Sequence, residues 1–279
     1  MNLAGLAGRP GLIARSVLAH NAASRPLTLS LPRTSPFTTS TPLSCKSHKP
    51  SGAAVDASAS DPETNRAGLR ADKYTDGLRL NKDWAANTAR EHPELFPTLA
   101  TGQQPQILWL GCSDSRCPET SMLGLQPGDV FVHRNIANIM HPGDLSSGAV
   151  IEYAVKYLGV KHIVVCGHTS CGGVAAAMGN KELGILDPWL LPLRQVRERN
   201  LPLLQSLSED EASLKLVELN VREGLSVVTQ KSAVLNAIQE RGLQVHGLIY
   251  DVASGVLREL DIQETEDSLK HRLLAFKTE

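Results

Sequence analysis

Two short apolar runs, each followed by residue types that bind metals, constrain the fold of this chain more than any other feature. Residues 107–116 read ILWLGCSDSR and residues 162–173 read HIVVCGHTSCGG, and each apolar run stops at a glycine. Three potential metal ligands follow the glycines: Cys112, His168 and Cys171. If both runs are strands of one parallel sheet, their carboxyl ends lie at the same edge, where open α/β sheets place their sites.

The segments around these runs favour an α/β fold. Residues 129–133 and 161–166 have the composition of strands, and residues 146–158 between them have the pattern of an amphipathic helix. A strand, a helix and a second strand at this spacing form a βαβ crossover, which implies a parallel sheet.

The rest of the chain is expected to add mainly helices. Ser208 and Glu211 form a capping-box pattern, and Gly242 stands where a helix C-cap belongs. The remaining expected elements are helices over 71–90 and 91–100, a helix starting at Cys171, an irregular proline-containing stretch over 180–200, helical structure over 208–241, strands over 243–251 and 256–261, and a closing helix over 264–276.

The first 60 residues differ in composition from the rest. They are rich in Ser, Thr, Ala, Pro and Arg, and residues 1–55 contain six basic residues and no acidic one. This composition is typical of a mitochondrial transit peptide, although chloroplast import or a disordered leader that leaves the protein in the cytoplasm would share it. We therefore expect a leader over 1–60, one domain over 61–279 and a location in the mitochondrial matrix.

Composition also narrows the class of ligand. Residues 56–279 carry 22 basic and 29 acidic residues with no basic stripe, so we expect no nucleic-acid partner. No apolar run approaches the roughly 18 residues of a membrane span, so we expect no membrane partner. Five cysteines in 279 residues do not suggest a disulfide framework, and Cys117 and Cys166 are interpreted as structural.

The three potential ligands suit zinc, because Zn²⁺ accepts thiolate and imidazole together. Three protein ligands with an open fourth position are typical of a catalytic site, so we expect one Zn²⁺ per chain. Asp114 could close that position, but Arg116 can hold its carboxylate in a bidentate pair. Asp114 would then accept a hydrogen bond from a zinc-bound water, which zinc acidifies to hydroxide.

The motifs CSDSR and HTSCGG, with GQ-x-P ahead of the first, FVHRNIAN between them and IEYAV before the second, resemble those of the β class of carbonic anhydrases. The similarity covers about residues 70–262 and is closest to a eukaryotic, fungal-like mitochondrial form. It implies zinc on the three ligands above, and reversible hydration of carbon dioxide to bicarbonate and a proton by a zinc-bound hydroxide.

The resemblance also implies a fold and a substrate site. The fold is a mostly parallel four-stranded sheet with a fifth edge strand, flanked by helices, with N-terminal helices packing on a partner subunit in a homodimer or homotetramer. Phe131 and Tyr153 would line the carbon dioxide pocket. Gln103 would donate a hydrogen bond to substrate or product, and the backbone of Gly172 would assist.

A regulatory site is a further implication. Trp109, Arg134 and Tyr250 are all hydrogen-bond donors, and in the bacterial type of β carbonic anhydrase the matching residues bind a non-catalytic bicarbonate. Filling that site favours a closed state in which the aspartate leaves its arginine for the zinc. The alternative is that these residues are ordinary core or ion-pair residues, since Gln103 and Tyr153 equally suit the constitutively open, plant-like type.

Three rival functions are open at this point. The same fold could hydrolyse carbon disulfide or carbonyl sulfide, or the zinc could be structural in a non-catalytic binding module. A redox pair of Cys112 and Cys171 is the third possibility, but it gives His168, Asp114 and Arg116 no role.

Overall fold

The computed structural model describes residues 72–262 and 265–276, so the predicted leader over 1–60 lies outside the described residues. Five strands form one sheet in the order β2-β1-β3-β4-β5. Their bounds are β1 Ile107–Cys112, β2 Val130–Asn135, β3 His162–His168, β4 Gln244–Asp251 and β5 Val256–Glu259. The first four strands run parallel, and β5 pairs with β4 in the antiparallel direction. The predicted fold class is therefore confirmed.

Helices flank this sheet. They are α1 Lys73–Glu91, α2 Leu95–Thr101, α3 Glu119–Leu123, α4 Leu145–Glu152, α5 Gly172–Met178, α6 Leu186–Arg199, α7 Leu201–Gln205, α8 Glu209–Thr229, α9 Ser232–Arg241 and α10 Glu266–Phe276. A 3₁₀ turn covers Ile136–Asn138, and a π-helical turn covers Tyr153–Tyr157. In the part of the chain that the structure describes, no helix combines the length and apolar character needed to span a bilayer.

The helix termini explain several of these bounds. The Asp144 side chain accepts hydrogen bonds from the backbone N–H groups of Ser146 and Ser147 and so begins α4. Ser208 and Glu211 form the expected capping box at the start of α8. Gly242 ends α9 in the left-handed conformation, with φ 69°, as its place in the sequence predicted.

The expectation of irregular structure over 180–200 is wrong, because α6 occupies most of it. Leu190, Leu193 and Val196 recur every three residues and are buried, so one face of the helix packs into the core. Pro192 lies inside the helix and lacks the N–H group of a regular turn. Burial of the apolar face outweighs the proline, which the sequence interpretation gave too much weight.

Two expected helices are also interrupted. The helical region over 208–241 breaks at Lys231, whose extended backbone (ψ 129°) separates α8 from α9. The helix expected over 146–158 is α-helical only to Glu152 and continues as the π-helical turn. In that turn Ala154 and Val155 are buried while Tyr153 and Tyr157 are exposed. Apolar periodicity predicted the helical segments but not these changes in the backbone.

The core lies between one face of the sheet and helices α4 to α9. Leu108 and Leu110 of β1 and Ile163 and Val165 of β3 are fully buried there. Gly167 lets α8 approach β3 closely, because a Cβ atom at this position would lie 2.8 Å from Val217 Cγ1. The strands that carry the potential ligands are therefore held by tight packing rather than by loops.

Helix α1 has an exposed apolar surface, although one of its residues, Trp84, makes an edge-to-face contact with Phe96 of α2, with ring centroids 5.7 Å apart. Four large apolar or aromatic side chains are exposed along α1: Tyr74, Leu78, Leu80 and Trp84. The predicted docking of this helix on a partner subunit stays a prediction.

Candidate metal centre

The parallel pairing of β1 and β3 brings the predicted ligands together. The strands pair from Ile107 with His162 to Leu110 with Val165, so their carboxyl ends lie at one edge of the sheet. The ligand atoms of three buried residues there all lie within 4.8 Å of one another; these residues are Cys112, His168 and Cys171. Cys112 ends β1, His168 ends β3, and Cys171 is the N-cap of α5.

His168 has one ring nitrogen bonded and the other unpaired. Its Nδ1 lies 2.9 Å from the carbonyl oxygen of Thr169, and because a carbonyl only accepts, Nδ1 carries the proton. Its Nε2 is buried without a hydrogen-bond partner among the described residues. A buried unpaired nitrogen is costly, and coordination of a metal would satisfy it.

The two thiols supply the remaining donors. The Cys112 and Cys171 sulfur atoms lie 4.0 Å apart. The hydrogen bond from Cys171 lowers the pKa of Cys112, which favours the thiolate form of Cys112. The same hydrogen bond, together with burial, raises the pKa of Cys171, so the two sulfur atoms share one proton. Two sulfurs and one imidazole nitrogen fit zinc, which binds thiolate and displaces such a proton.

The other two described cysteines do not join this cluster. Burial raises the pKa of Cys117 to about 11 and raises the pKa of Cys166 as well. Both side chains are buried, and Cys166 donates to the carbonyl of Gly167. These groups remain neutral thiols at physiological pH, in agreement with a structural role.

Asp114 is held by Arg116, as predicted from the sequence. Arg116 Nε donates to Asp114 Oδ1 at 2.9 Å and Nη2 donates to Oδ2 at 2.7 Å, while the Arg116 backbone N–H also donates to Oδ1. These bonds hold the pKa of Asp114 well below its usual range. Asp114 Oδ2 lies 3.9 Å from His168 Nε2, so the carboxylate borders the metal cluster without belonging to it.

Several residues that support the cluster were not identified from the sequence. Arg116 Nη2 also donates to the Ser170 carbonyl at 3.1 Å, and Ser170 adopts φ 55°, a left-handed conformation that is uncommon for serine. Thr169 Oγ1 donates to Asp251 Oδ1 at 3.1 Å. Asp251 could have been predicted, because it ends β4 next to β3; the backbone conformation of Ser170 gives no signal in the sequence.

Gly172 and Gly173 differ in their surroundings. A Cβ atom at Gly173 would lie 2.8 Å from the Cβ of Ala137, so the start of α5 packs directly on the turn after β2. A Cβ atom at Gly172 would meet nothing within 4 Å, so the backbone there borders open space beside Cys171. Gly173 is therefore required for packing, and Gly172 leaves an approach to the cluster.

The other predicted substrate residues do not reach the cluster of their own chain. Gln103 is exposed and lies before the start of β1. Cys112 lies at the far end of this six-residue strand, about 20 Å further along. Phe131 is the neighbour of Leu108 in β2, and its ring lies 5.8 Å from that of Tyr153. Tyr153 stacks in turn on the exposed Tyr157. These residues form a partly exposed aromatic surface, with Gln103 at the amino end of the sheet.

The three predicted regulatory residues share one face of the sheet. Trp109 is buried and packs in a small apolar cluster that includes Tyr250. Tyr250 neighbours His168 across β3 and β4, and Arg134 neighbours Gly111 across β1 and β2.

Arg134 is already bonded in this arrangement. Its Nε donates to the Cys112 carbonyl at 2.7 Å, and its Nη2 donates to the Asp114 carbonyl. Its Nη1 lies 3.8 Å from a Glu119 carboxylate oxygen. Arg134 therefore positions the backbone on either side of Ser113, a supporting role that the sequence did not reveal.

Known proteins resemble this chain over the segment that carries the cluster. The family model for carbonic anhydrase matches residues 107–257. A carbonic anhydrase of Emericella nidulans is 44% identical over 206 residues, which cover 72% of this chain and 90% of that protein. The crystal structure of the β-carbonic anhydrase CafA of Aspergillus fumigatus is 70% identical in sequence. The match covers 75% of this chain and 100% of the CafA chain, with a TM-score of 0.74. A structure from a report on two tetrameric β-carbonic anhydrases of Sordaria macrospora shares 49% identity, covers 69% of this chain and 98% of its own, and has a TM-score of 0.67.

The ligand assignment can be tested by substitution. Cys112→Ser and His168→Ala should each abolish stoichiometric zinc binding, because the two remaining side chains do not complete the donor set. Cys117→Ser is the matched control, since it removes a buried thiol outside the cluster, and it should retain one zinc per chain. Elemental analysis after dialysis measures the outcome, and full zinc content in Cys112→Ser would refute the assignment.

Proposed function

Because this chain belongs to the β class of the carbonic anhydrase family, we propose that it catalyses the reversible hydration of carbon dioxide to bicarbonate and a proton. The observation that carries the proposal is the buried Cys112, His168 and Cys171 cluster, bordered by a carboxylate that an arginine holds. Three protein donors leave a coordination position for a substrate water, as in catalytic rather than structural zinc sites.

We propose that these three residues bind one Zn²⁺ per chain. When bound, zinc supplies the Lewis acidity that makes water a nucleophile near neutral pH. The thiolates of Cys112 and Cys171 donate charge to the metal and weaken that acidity compared with neutral imidazoles. The orientation of the attacking water by the protein therefore matters more in this site.

Asp114 provides that orientation. Its pKa is held well below its usual range by Arg116, so the carboxylate stays ionised at neutral pH and can accept a hydrogen bond from the water. Arg116 occupies both carboxylate oxygens and keeps Asp114 from becoming a fourth ligand. Arg134 fixes the backbone of Cys112 and Asp114 and keeps the acceptor at a constant distance from the cluster.

We propose that the substrate site is completed by a second chain. Gln103, Phe131 and Tyr153 lie away from the metal cluster of their own chain, and Tyr153 is exposed. An apolar surface formed by the two aromatic rings suits an uncharged carbon dioxide molecule, and the Gln103 amide can donate to bicarbonate. The open space beside Gly172 is where such a surface from a partner would meet the cluster.

The same reasoning leads us to propose a homodimer or homotetramer. The exposed apolar side chains of α1 form a surface that a second copy would cover. The Sordaria macrospora relative is described as tetrameric, which supports assembly of this chain.

We further propose that residues 1–60 are a mitochondrial leader and that 61–279 form the enzyme domain. The basic, acid-free composition of the leader supports this, as does an Arabidopsis thaliana relative named as mitochondrial, although another is named as chloroplastic. A reporter fused to residues 1–60 should enter mitochondria, and a diffuse signal would count against the proposal.

Bicarbonate regulation is proposed for the face that carries Trp109, Arg134 and Tyr250. These donors lie on strands that end at the metal cluster, and Arg134 contacts the carbonyl of Asp114. An anion that draws Arg134 away would release the Asp114 backbone and favour a closed state with Asp114 on the metal. Such regulation requires bicarbonate to bind the closed state more tightly than the open one.

Stopped-flow assays test the catalytic proposal. The zinc-replete wild type should hydrate carbon dioxide, whereas Asp114→Asn and Arg116→Ala should keep zinc and lose rate by about 100-fold or more. Arg199→Ala, which removes another ion-paired arginine outside the cluster and outside α1, is the control and should keep full activity. A zinc-replete wild type without hydration activity would contradict the proposal and favour a non-catalytic module or a hydrolase of carbon disulfide or carbonyl sulfide.

A charge on α1 tests the assembly. Leu78 is 55% exposed in the single chain, so Leu78→Glu should not disturb the fold of that chain, but it should dissociate the oligomer and lower the hydration rate. Arg79→Glu changes charge at the next position of the same helix, which faces about 100° away from Leu78 around the helix axis, and should have the smaller effect. Light scattering gives the molecular mass, and an unchanged oligomer in Leu78→Glu would exclude this surface.

The pH profile of activity tests regulation. Trp109→Phe keeps an aromatic ring in the buried cluster and removes the indole N–H donor together with part of the ring volume. The wild type should lose activity steeply below neutral pH, with a stronger loss at high bicarbonate, and Trp109→Phe should reduce that loss. Superimposable profiles would assign Trp109 to packing alone.

A further inference from the structure

A second group of metal-ligand side chains lies at the other end of the sheet. His162 begins β3, His246 lies in β4, and Glu259 ends β5. His162 Nδ1 and His246 Nε2 are 3.1 Å apart, and His246 Nδ1 lies 2.7 Å from Glu259 Oε1. His162 and His168 are at opposite ends of the seven-residue β3, about 20 Å apart, and the proposed catalytic mechanism uses none of these three side chains.

The hydrogen bond to Glu259 fixes the tautomer of His246. An ionised carboxylate only accepts, so His246 Nδ1 carries the proton and Nε2 presents a lone pair toward His162. A carboxylate on the far nitrogen is the usual partner of a histidine that binds a metal, since it orients the ring and raises its basicity.

The distance between the two rings also suits coordination. Metal–nitrogen bonds of about 2.0–2.1 Å place two imidazole ligands of one ion roughly 3 Å apart, close to the observed 3.1 Å. The ring centroids lie 5.3 Å apart with an interplanar angle of 43°, so the rings are not stacked face to face. A small movement of each ring would let both nitrogens face one ion.

Solvent can reach this group. The His246 side chain is 26% exposed and that of Glu259 is 61% exposed. An open cleft of about 410 Å³ adjoins them and is lined by both residues and by Asp261. Burial, together with His246 and Lys161, lowers the pKa of His162, so this ring is neutral at physiological pH.

We propose that His162 and His246 form a second site for a divalent transition-metal ion such as Zn²⁺, with Glu259 as the carboxylate that orients His246. Imidazole nitrogens are preferred ligands of such ions. When the ion binds between the two rings, it replaces the one proton that they share. That proton moves to His162 Nε2 or to solvent. Water completes the coordination, so this site binds more weakly than the cluster of two cysteines and one histidine.

Zinc titration of the protein that already holds one zinc per chain tests this site. Equilibrium dialysis should show a second zinc in the wild type. His246→Gln should lose the second zinc and keep both the first zinc and the hydration rate. Glu259→Gln should weaken the second site by about 10-fold to 100-fold, the usual effect of removing an orienting carboxylate. His92→Gln, which removes an exposed histidine elsewhere, is the control and should retain both ions.

Two results would overturn the proposed site. The wild type could bind only one zinc per chain, or it could bind a second zinc with an affinity that is unchanged in His246→Gln. If a variant fails to fold, the wild type still decides the question. Crystals soaked in Zn²⁺ should show anomalous density between His162 Nδ1 and His246 Nε2. Its absence would identify the three side chains as a hydrogen-bonded group of structural character only.

Discussion

The parallel pairing of β1 with β3 is the constraint on which the metal centre depends. The pairing from Ile107 with His162 to Leu110 with Val165 sets where each strand ends and therefore where Cys112 and His168 lie. A slip by one residue would turn the strand side chains to the opposite face. Fully buried Leu110 and Val165, and the close approach of α8 at Gly167, make such a slip unfavourable.

Hydrogen bonds to backbone carbonyls hold the polar groups around this edge. Arg134 bonds the carbonyls of Cys112 and Asp114, and Arg116 bonds the carbonyl of Ser170 while it holds the Asp114 carboxylate. His168 uses the Thr169 carbonyl to fix its tautomer. The chain thus keeps an ionised carboxylate beside the Cys112, His168 and Cys171 cluster, and this separation is what the proposed catalytic zinc site requires.

The sequence predicted the features that follow from local pattern and failed where backbone geometry decides. Strand runs ending in glycine located β1 and β3, and the capping pattern at Ser208 located the start of α8. The prolines near α6 concealed a helix that burial of its apolar face stabilises. At the site, the clustering of Cys112, His168 and Cys171 could be predicted from residue type and spacing. The supporting role of Arg134 could not, because its partners are main-chain carbonyls that have no signature in the sequence.

The central claim is that two cysteines and one histidine, brought together by two parallel strands, hold a metal while Asp114 stays on Arg116. X-ray absorption at the zinc edge of the loaded protein tests it most directly, because the sulfur and nitrogen or oxygen neighbours of the ion are counted separately. Two sulfur ligands and two lighter ones are expected, of which one shows imidazole scattering. A third sulfur, or a shell without sulfur, would exclude Cys112, His168 and Cys171 as the ligand set.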